Sequence, residues 1–133
     1  MKICVVIGSR ADEGNLLWLI KVLQEDPDCE SVVRYYLRYL SCPDDLDWVI
    51  LLGDRWEIAE AALSLHRRRI PIAHIAGGDR TEGSYDDAFR DCISRLATIH
   101  FVTNEQALAR LLTAGYSHVH LVGSPGIDYI RHA

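Results

Sequence analysis

Uninterrupted apolar runs that end at glycine predict the first strands of the fold. Residues 2–7 form one such run before Gly8, and residues 48–52 form another before Gly53. Runs that are apolar at every position are typical of strands buried on both faces of a parallel sheet. Shorter apolar runs predict three further strands, at residues 70–75, 99–102 and 118–122.

The segments between these runs carry apolar residues at helical spacing. Residues 32–40 are apolar and aromatic with interleaved arginines, and they fit a strand, a helix or one followed by the other. Strands that alternate with helices across short connections predict right-handed βαβ units. We therefore expect an α/β fold with a three-layer Rossmann-like parallel sheet, in a single domain over residues 1–133. Helices are predicted at residues 16–23, 55–66, 84–96 and 104–114.

Net charge and apolar run length exclude two classes of partner. The formal net charge of −5 disfavours a nucleic-acid-binding protein, which usually presents a basic face. The basic run at residues 67–69 is expected to lie at a helix C-terminus, where cations complement the helix dipole. No apolar run approaches the ~20 residues that span a bilayer, so no membrane partner is expected.

The cysteine spacing indicates whether the protein binds a metal ion and whether its thiols are reduced. Cys4, Cys29, Cys42 and Cys92 form no C-x-x-C pair and no metal-ligand spacing. The apolar run at the N-terminus is followed at once by charged residues and lacks a signal-peptide layout. We expect a cytoplasmic protein with reduced thiols, with neither a metal ion nor a cofactor.

Polar, glycine-rich segments follow four of the predicted strands, at residues 8–14, 53–55, 77–83 and 123–126. Ligands of open α/β sheets bind beyond the carboxyl ends of the strands, so these segments predict a cleft at one edge of the sheet. The glycines alone require only turns. The charged residues among them point to ligand binding, whereas the motifs of P-loop NTPases, dinucleotide-binding proteins and α/β-hydrolases are missing. These charged residues are Arg10, Asp54, Arg55 and Asp79.

The helix predicted to start at Ser84 combines dense charge with an apolar stripe. Asp87 and Arg90 are three residues apart and can pair, and with Asp86 they are expected on the face opposite the stripe. Acidic residues also suit a first helical turn, and Ser84 with Asp87 fits a capping box. Catalytic and structural roles for Asp86 and Asp87 therefore both stay open. The stripe comprises Tyr85, Ala88, Phe89, Cys92, Ile93 and Leu96.

Four histidines lie on or near the predicted strands. His74 and His100 are each near a carboxyl end, where a structural role competes with a place in the site. His118 and His120 alternate along one predicted strand and would face the same side. No third ligand accompanies them, which disfavours a metal site.

Six segments stand in a characteristic order along nearly the whole chain. They are residues 8–12 (GSRAD), 52–57 (LGDRWE), 70–83 (IPIAHIAGGDRTEG), 86–90 (DDAFR), 100–101 (HF) and 122–128 (VGSPGID). Each is a weak signal alone, but the collinear set is specific. Together they resemble the hydrolysing branch of the UDP-N-acetylglucosamine 2-epimerases, which makes N-acetylmannosamine for sialic-acid-type sugars.

The resemblance implies the N-terminal half of an enzyme whose two Rossmann-like domains face each other across a cleft, so that this chain resembles one half of a GT-B fold. Members of the family eliminate UDP from UDP-N-acetylglucosamine to give a 2-acetamidoglucal, to which water adds with inversion at C2. Abstraction of the C2 proton requires a carboxylate base, and departure of UDP requires cations or hydrogen-bond donors at the phosphates.

The resemblance also suggests roles for individual residues. It makes Asp54, Asp79 and Asp87 the candidate acid/base carboxylates, places Arg10 at the phosphates or the sugar, and has Arg90 orient the carboxylates. Further substrate-binding candidates are Ser9, His74, Asp86 and Ser124.

The chain departs from the family pattern in several places. Asp79 stands where the family usually has Glu, Asp91 where it has His, and Arg95 where it has Lys. The connection between Asp28 and Asp47 is also shorter than in the family. In the family the second domain supplies most of the UDP contacts. We therefore expect a homo-oligomer, or a separate partner domain, to complete a cleft that binds a UDP-sugar or related small molecule.

Two other hypotheses stay open at the level of sequence. The chain could be a non-catalytic binding or oligomerisation module derived from the family, or a small stand-alone enzyme acting on another nucleotide or sugar. A module without catalysis has no physical need for the charges of Arg10, Asp54 and Asp79, so their presence favours an enzyme.

Overall fold

The computed structural model describes residues 1–36, 42–80 and 86–132. Within these ranges six strands form one sheet: β1 (Lys2–Ile7), β2 (Ser31–Tyr36), β3 (Trp48–Leu52), β4 (Ile72–Ile75), β5 (Ile99–Val102) and β6 (Val119–Leu121). The helices are α1 (Arg10–Glu25), α2 (Trp56–Arg67), α3 (Asp87–Leu96), α4 (Glu105–Thr113) and α5 (Pro125–His132).

Most predicted elements are confirmed, with changes at their ends. β4 starts two residues later than the apolar run because Ile70 and Pro71 precede the ladder. The ambiguous segment at residues 32–40 forms β2 as far as Tyr36, and its remainder lies outside the described residues. The predicted cap Ser84 also lies outside them, and the first described turn of α3 begins at Asp87.

The basic run at the end of α2 behaves as the charge pattern predicts. α2 ends at Arg67, and Arg68 is its C-cap residue. The Arg68 guanidinium pairs with Asp44 at 2.6 Å, so the run stabilises a helix end and its neighbouring loop.

All strand pairs are parallel, in the order β2-β1-β3-β4-β5-β6. From β1 the chain moves outward to β2, and from β3 it moves outward in the opposite direction. The loops after β1 and β3 therefore border the point where the strand order reverses, which is where ligands of open α/β sheets bind. The predicted cleft therefore includes the point where the strand order reverses.

Two apolar layers fill the space between the sheet and its helices. α2 and α3 pack on one face, over Val6, Leu51 and Ile72, and α1 packs on the other, over Val5 and Ile50. Alternation along β5 puts Val102 on the α2 and α3 face, and Val102 packs against Ala107 and Leu111 of α4. Helices on both faces of a parallel sheet make the predicted three-layer architecture.

The turn after β4 depends on two glycines for close packing. A Cβ on Gly77 would lie 2.9 Å from Ser94 Oγ and 3.0 Å from His74 Nδ1. A Cβ on Gly78, where φ is +77°, would lie 2.7 Å from the carbonyl oxygen of Ala107 in α4. These glycines therefore let α3 and α4 approach the turn, which is more than the simple turn that the sequence requires.

α5 is an element that the sequence analysis does not predict, because Ser124, Pro125 and Gly126 are typical of a loop. Proline is well suited to the first position of a helix, and Pro125 starts α5. A Cβ on Gly126 would lie 2.6 Å from Asn15 Oδ1, so a glycine lets α5 pack closely on α1.

None of the helices in the described ranges is long and apolar enough to cross a membrane.

Candidate active site

The candidate site lies at the carboxyl edge of the sheet, from which the loops after every strand emerge because all the strands are parallel. Three of its loops follow β1, β3 and β4, and α3 begins beside them. The four glycine-rich segments of the sequence analysis all reach this edge where they are described; residues 81–83 lie outside the described residues.

Arg90 of α3 joins the three predicted catalytic residues. Its Nη2 donates to Asp54 Oδ2 at 2.8 Å, while its Nη1 donates to Asp87 Oδ1 at 2.6 Å and to the main-chain carbonyl of Asp79 at 2.7 Å. The Arg90 side chain is only 8% exposed, whereas those of Asp54 and Asp87 are 26% and 22% exposed. The arginine therefore forms the buried base of the site, and both carboxylates reach solvent.

The prediction that Arg90 lies on a face opposite the apolar stripe is wrong. α3 buries Arg90 together with Ile93 and Ser94, whereas Ala88, which the spacing assigns to the stripe, is exposed. Burial of a guanidinium is tolerated because two carboxylates and a carbonyl accept its hydrogen bonds. Tyr85, the first residue of the predicted stripe, lies outside the described residues.

His74 of β4 is a fully buried cross-link between three elements. Its Nε2 donates to the carbonyl of Gly53 at 2.9 Å, so its Nδ1 is the acceptor for the Ser94 hydroxyl at 3.1 Å. Burial lowers the pKa of His74 to about 4, so the ring is neutral at physiological pH. With both nitrogens engaged and no exposed surface, His74 does not contact a ligand in the cleft. It instead fixes Gly53, the residue before Asp54.

The carboxylate of Asp79 is held by the loop after β5, whereas Arg90 binds the main-chain carbonyl of the same residue. Thr103 Oγ1 donates to its Oδ1 at 3.1 Å, and Asn104 Nδ2 donates to the same oxygen at 3.0 Å. Asn104 is also the N-cap of α4, because its Oδ1 accepts from the amide of Ala107 at 2.8 Å. Asp79 therefore connects the candidate site to β5 and α4. Thr103 and Asn104 carry no signal in the sequence that marks them as partners of Asp79.

The loop after β1 brings further charged residues to the point where the strand order reverses. Ser9 is the N-cap of α1 and accepts from the amide of Asp12 at 3.2 Å, and Arg10 is exposed at the first helical position. Burial raises the pKa of the Asp12 carboxyl, and a hydrogen bond from Gly8 and the charge of Arg55 oppose that shift. Asp12 Oδ2 is buried with no hydrogen-bond partner in the described part of the chain.

Asp12 is a site residue that sequence reasoning passes over, because an acidic residue in a first helical turn has a simple explanation in the helix dipole. The charge of Asp54 also raises the pKa of Asp12. The pKa of Arg55 is raised first by its hydrogen bond to Glu57 and the charge of Glu57, and then by the charges of Asp12 and Asp54. The charged groups of the loops after β1 and β3 therefore lie close enough to interact.

The two remaining predicted residues lie at helix starts on the same edge. Asp86 is the N-cap residue of α3, and its carbonyl accepts from the amide of Arg90 at 3.0 Å. Ser124 precedes α5, and its carbonyl accepts from the amide of Asp128 at 3.2 Å. Because Gly126 approaches Asn15 of α1, the loop after β6 reaches the start of α1.

The described side chains include no cluster of three histidine, cysteine or acidic groups placed to hold a metal ion. His118 has a φ of 55° and precedes β6, so it does not alternate with His120 along the strand as predicted.

Comparison with known proteins identifies related sequences. The family model described as UDP-N-acetylglucosamine 2-epimerase matches residues 41–133. The UDP-N-acetylglucosamine 2-epimerase of Neisseria meningitidis is 41% identical over 96 residues, which are 70% of this chain and 25% of that protein. The hydrolysing UDP-N,N'-diacetylbacillosamine 2-epimerase of Legionella pneumophila is 41% identical over 86 residues, which are 63% of this chain and 22% of that protein.

Solved structures share the fold of the chain. The Neisseria meningitidis UDP-GlcNAc 2-epimerase bound to UDP-GlcNAc matches 99% of this chain and 49% of its own, with a TM-score of 0.84 and 20% identity. The Methanocaldococcus jannaschii UDP-GlcNAc 2-epimerase in complex with UDP-GlcNAc and UDP matches 99% of this chain and 49% of its own, with a TM-score of 0.83 and 18% identity. The predicted likeness to one half of a GT-B fold is confirmed.

The matched region thus spans about a quarter of the length of these curated relatives, and the chain about half the length of the solved structures. The segment that the family model matches contains Asp54, His74, Asp79, Asp87 and Arg90. The chain belongs to the UDP-N-acetylglucosamine 2-epimerase family.

Proposed function

We propose that the chain supplies one wall of a hydrolysing UDP-N-acetylglucosamine 2-epimerase site, which eliminates UDP from a nucleotide sugar and yields N-acetylmannosamine. The observation that carries this proposal is the Arg90 cluster. A buried guanidinium holds two partly exposed carboxylates, from Asp54 and Asp87, at the carboxyl edge of a parallel sheet. Elimination of UDP requires a base that removes the proton from C2 of the sugar. A carboxylate held in a fixed orientation can act as that base, and Arg90 holds two of them.

Asp54 and Asp87 are our candidates for the base that removes the C2 proton and for the acid that returns one. Each has one oxygen bound to Arg90, which fixes the plane of the carboxylate. Arg90 is a positioning residue, since its hydrogen bonds go to the carboxylates and to a carbonyl, and its side chain is buried. Asp86 and Ser124, at helix starts on this edge, remain candidates for binding the sugar.

The phosphates of the nucleotide are assigned to the β1 side of the cleft. The N-terminus of α1 presents the positive end of a helix dipole, which favours an anion. Arg10 is exposed at this helix start, and Ser9 caps it. Asp79, with its carboxylate held by Thr103 and Asn104, is assigned to holding the β4 turn beside the sugar.

A single wall cannot enclose a UDP-sugar, so we propose that a second domain or a second copy of the chain completes the cleft. Closure matters because it excludes water from the reactive intermediate and surrounds the diphosphate with donors. The chain matches about half of each of its solved relatives, which is consistent with this proposal. Free thiols at Cys4, Cys29, Cys42 and Cys92 support a cytoplasmic location.

The reaction itself tests the proposal. Incubation of the chain alone with UDP-N-acetylglucosamine is expected to give weak or no release of UDP and N-acetylmannosamine. Addition of the second domain of a relative is expected to increase that release. Asp54→Asn removes a carboxylate base and is expected to lower the rate by about 10²- to 10⁴-fold. Asp45→Asn, at an exposed residue paired with Lys2, is the matched control and is expected to leave the rate unchanged.

Three results would contradict the proposal. One is the absence of UDP-sugar binding even at millimolar concentration, which would favour the non-catalytic module. Another is turnover that Asp54→Asn leaves intact. The third is binding of a different nucleotide or free sugar in preference to UDP-N-acetylglucosamine, which would favour a stand-alone enzyme with another substrate.

A further inference from the structure

The start of α4 holds the side chain of Asp79 through a hydrogen-bond arrangement with one direction. Asn104 Oδ1 accepts from the amide of Ala107 at 2.8 Å, so its Nδ2 is the donor to Asp79 Oδ1 at 3.0 Å. The same Nδ2 donates to Thr103 Oγ1 at 3.1 Å, and Thr103 Oγ1 lies 3.1 Å and 3.3 Å from the two carboxylate oxygens of Asp79. Because a carboxylate accepts, the hydroxyl proton of Thr103 is directed at Asp79.

Two further residues of α4 contact the turn after β4. Ala107 is buried against Gly78, since a Cβ on Gly78 would lie 2.7 Å from the carbonyl oxygen of Ala107. Arg110 Nη1 donates to the carbonyl of Gly78 at 2.8 Å. Asn104, Ala107 and Arg110 follow one another at intervals of three residues and therefore share one face of α4. This face fixes both the main chain of the turn and the side chain of Asp79.

The turn that α4 holds is also a hydrogen-bond partner of the Arg90 cluster. The carbonyl of Asp79 accepts from Arg90 Nη1 at 2.7 Å and from Arg80 Nη1 at 3.1 Å. The guanidinium of Arg90 also donates to the carboxylates of Asp54 and Asp87. A displacement of Asp79 would therefore move an acceptor that helps to fix the guanidinium, and through it both candidate carboxylates.

We propose that Thr103 and Asn104 are positioning residues of the candidate active site. They hold Asp79, and Asp79 in turn helps to fix Arg90, which binds both candidate carboxylates. This role rests on the proposed function and adds to it the loop after β5, which lies outside the loops that carry those carboxylates. Displacement of a catalytic group by a fraction of an ångström lowers the rate, so residues that hold such a group affect turnover without touching the substrate.

Two substitutions remove the donors to Asp79 and keep α4. Serine is as good an N-cap as asparagine but is too short to reach Asp79, so Asn104→Ser removes one donor without uncapping the helix. Thr103→Val removes the hydroxyl and keeps a β-branched side chain. In the assay with an added second domain, each variant is expected to lower kcat about tenfold and to change KM by less than about twofold, because the contacts with the substrate are unchanged.

Matched variants distinguish this role from a general effect on the fold. Thr103→Ser is expected to retain at least about half of the wild-type kcat, because its hydroxyl still donates. Gln106→Ser and Thr113→Val make similar changes at exposed positions of α4 and are expected to leave kcat unchanged. Equal losses from Thr103→Ser and Thr103→Val would overturn the positioning role, as would losses from Asn104→Ser no larger than those from Gln106→Ser.

A double-mutant cycle on the stability of the chain tests the linkage without turnover. Asn104 and Arg90 bind different groups of Asp79, so their effects on unfolding are coupled if Asp79 connects them. We expect the unfolding equilibrium constant of Asn104→Ser with Arg90→Lys, measured by urea denaturation, to rise by a factor about three or more smaller than the product of the single effects. Gln106→Ser with Arg90→Lys is expected to be additive. Additive effects of Asn104→Ser and Arg90→Lys would overturn the linkage.

Failure of the positioning role and failure of the proposed function give different results. Wild-type turnover of UDP-N-acetylglucosamine together with unchanged kcat in Thr103→Val and Asn104→Ser overturns the positioning role alone. A raised KM with an unchanged kcat in these variants also overturns it. Absence of wild-type turnover with the second domain present contradicts the proposed function, and a non-additive cycle in that case still supports the linkage from Asn104 to Arg90.

Discussion

Replacement of Arg90 with methionine is expected to lower the free energy of unfolding by about 3 kcal/mol. The variant removes the cation that Asp54 and Asp87 share. It also removes one of the two donors to the carbonyl of Asp79, which keeps Arg80 Nη1 at 3.1 Å. Methionine has a similar length and a high helix propensity, so α3 itself is retained. The cost therefore comes from the uncompensated charges and not from the helix. Urea denaturation near neutral pH measures it.

A lysine at position 90 distinguishes the effect of the positive charge from the effect of the guanidinium geometry. Arg90→Lys restores one positive charge, but an ammonium cannot reach the three acceptors that the planar guanidinium reaches. It is expected to recover part of the stability and little of the turnover. Lys2→Met, which breaks the exposed pair with Asp45, is the control and is expected to leave the denaturation midpoint unchanged. A loss from Arg90→Met no larger than that from Lys2→Met would contradict the buried network.

The stability of the protein is expected to fall in mild acid because of His74. The ordinary histidine pKa of 6.5 falls to about 4 in the folded protein, through burial first and then the charges of His100 and Arg90. Between these two values the unfolded chain binds more protons than the folded one. The free energy of unfolding is therefore complete above about pH 6.5 and decreases as pH falls to about 4, by about 3 kcal/mol in total.

His74→Asn tests the origin of this acid sensitivity, since an amide can keep hydrogen bonds but does not titrate. The variant is expected to be less stable near neutral pH and to lose most of the decrease between pH 6.5 and 4. Some slope remains, because burial also lowers the pKa of His100. His120→Asn, at an exposed histidine, is expected to keep the wild-type slope. Equal slopes in the wild type and His74→Asn would refute the assignment.

The strands of this fold follow from the sequence because burial on both faces leaves a local signature. Residues 2–7 and 48–52 are apolar throughout, and no tertiary information is needed to place them. α5 could not be predicted in this way, because the residues at its start, Ser124, Pro125 and Gly126, have the composition of a loop. The close approach of Gly126 to α1, which makes the glycine useful, depends on a contact across the whole chain.

The candidate residues could be placed at one edge of the sheet from sequence, but the contacts among them could not. The spacing of Asp87 and Arg90 predicts their pairing correctly. The burial of Arg90 depends on Asp54, which lies 36 residues away, and periodicity along one helix contains no information about it. His74 could have been recognised as buried, because its neighbours in β4 are apolar on both sides.

We propose that a nucleotide sugar binds at the carboxyl edge of the sheet, around Arg90. An NMR titration of the isotope-labelled chain with UDP-N-acetylglucosamine tests it most directly, because each backbone amide reports its own position. We expect shifts that saturate and concentrate at residues 8–12, 53–55, 77–80 and 86–90. Shifts confined to the opposite edge, at residues 26–30 and 44–47, or no shifts at millimolar ligand, would contradict it.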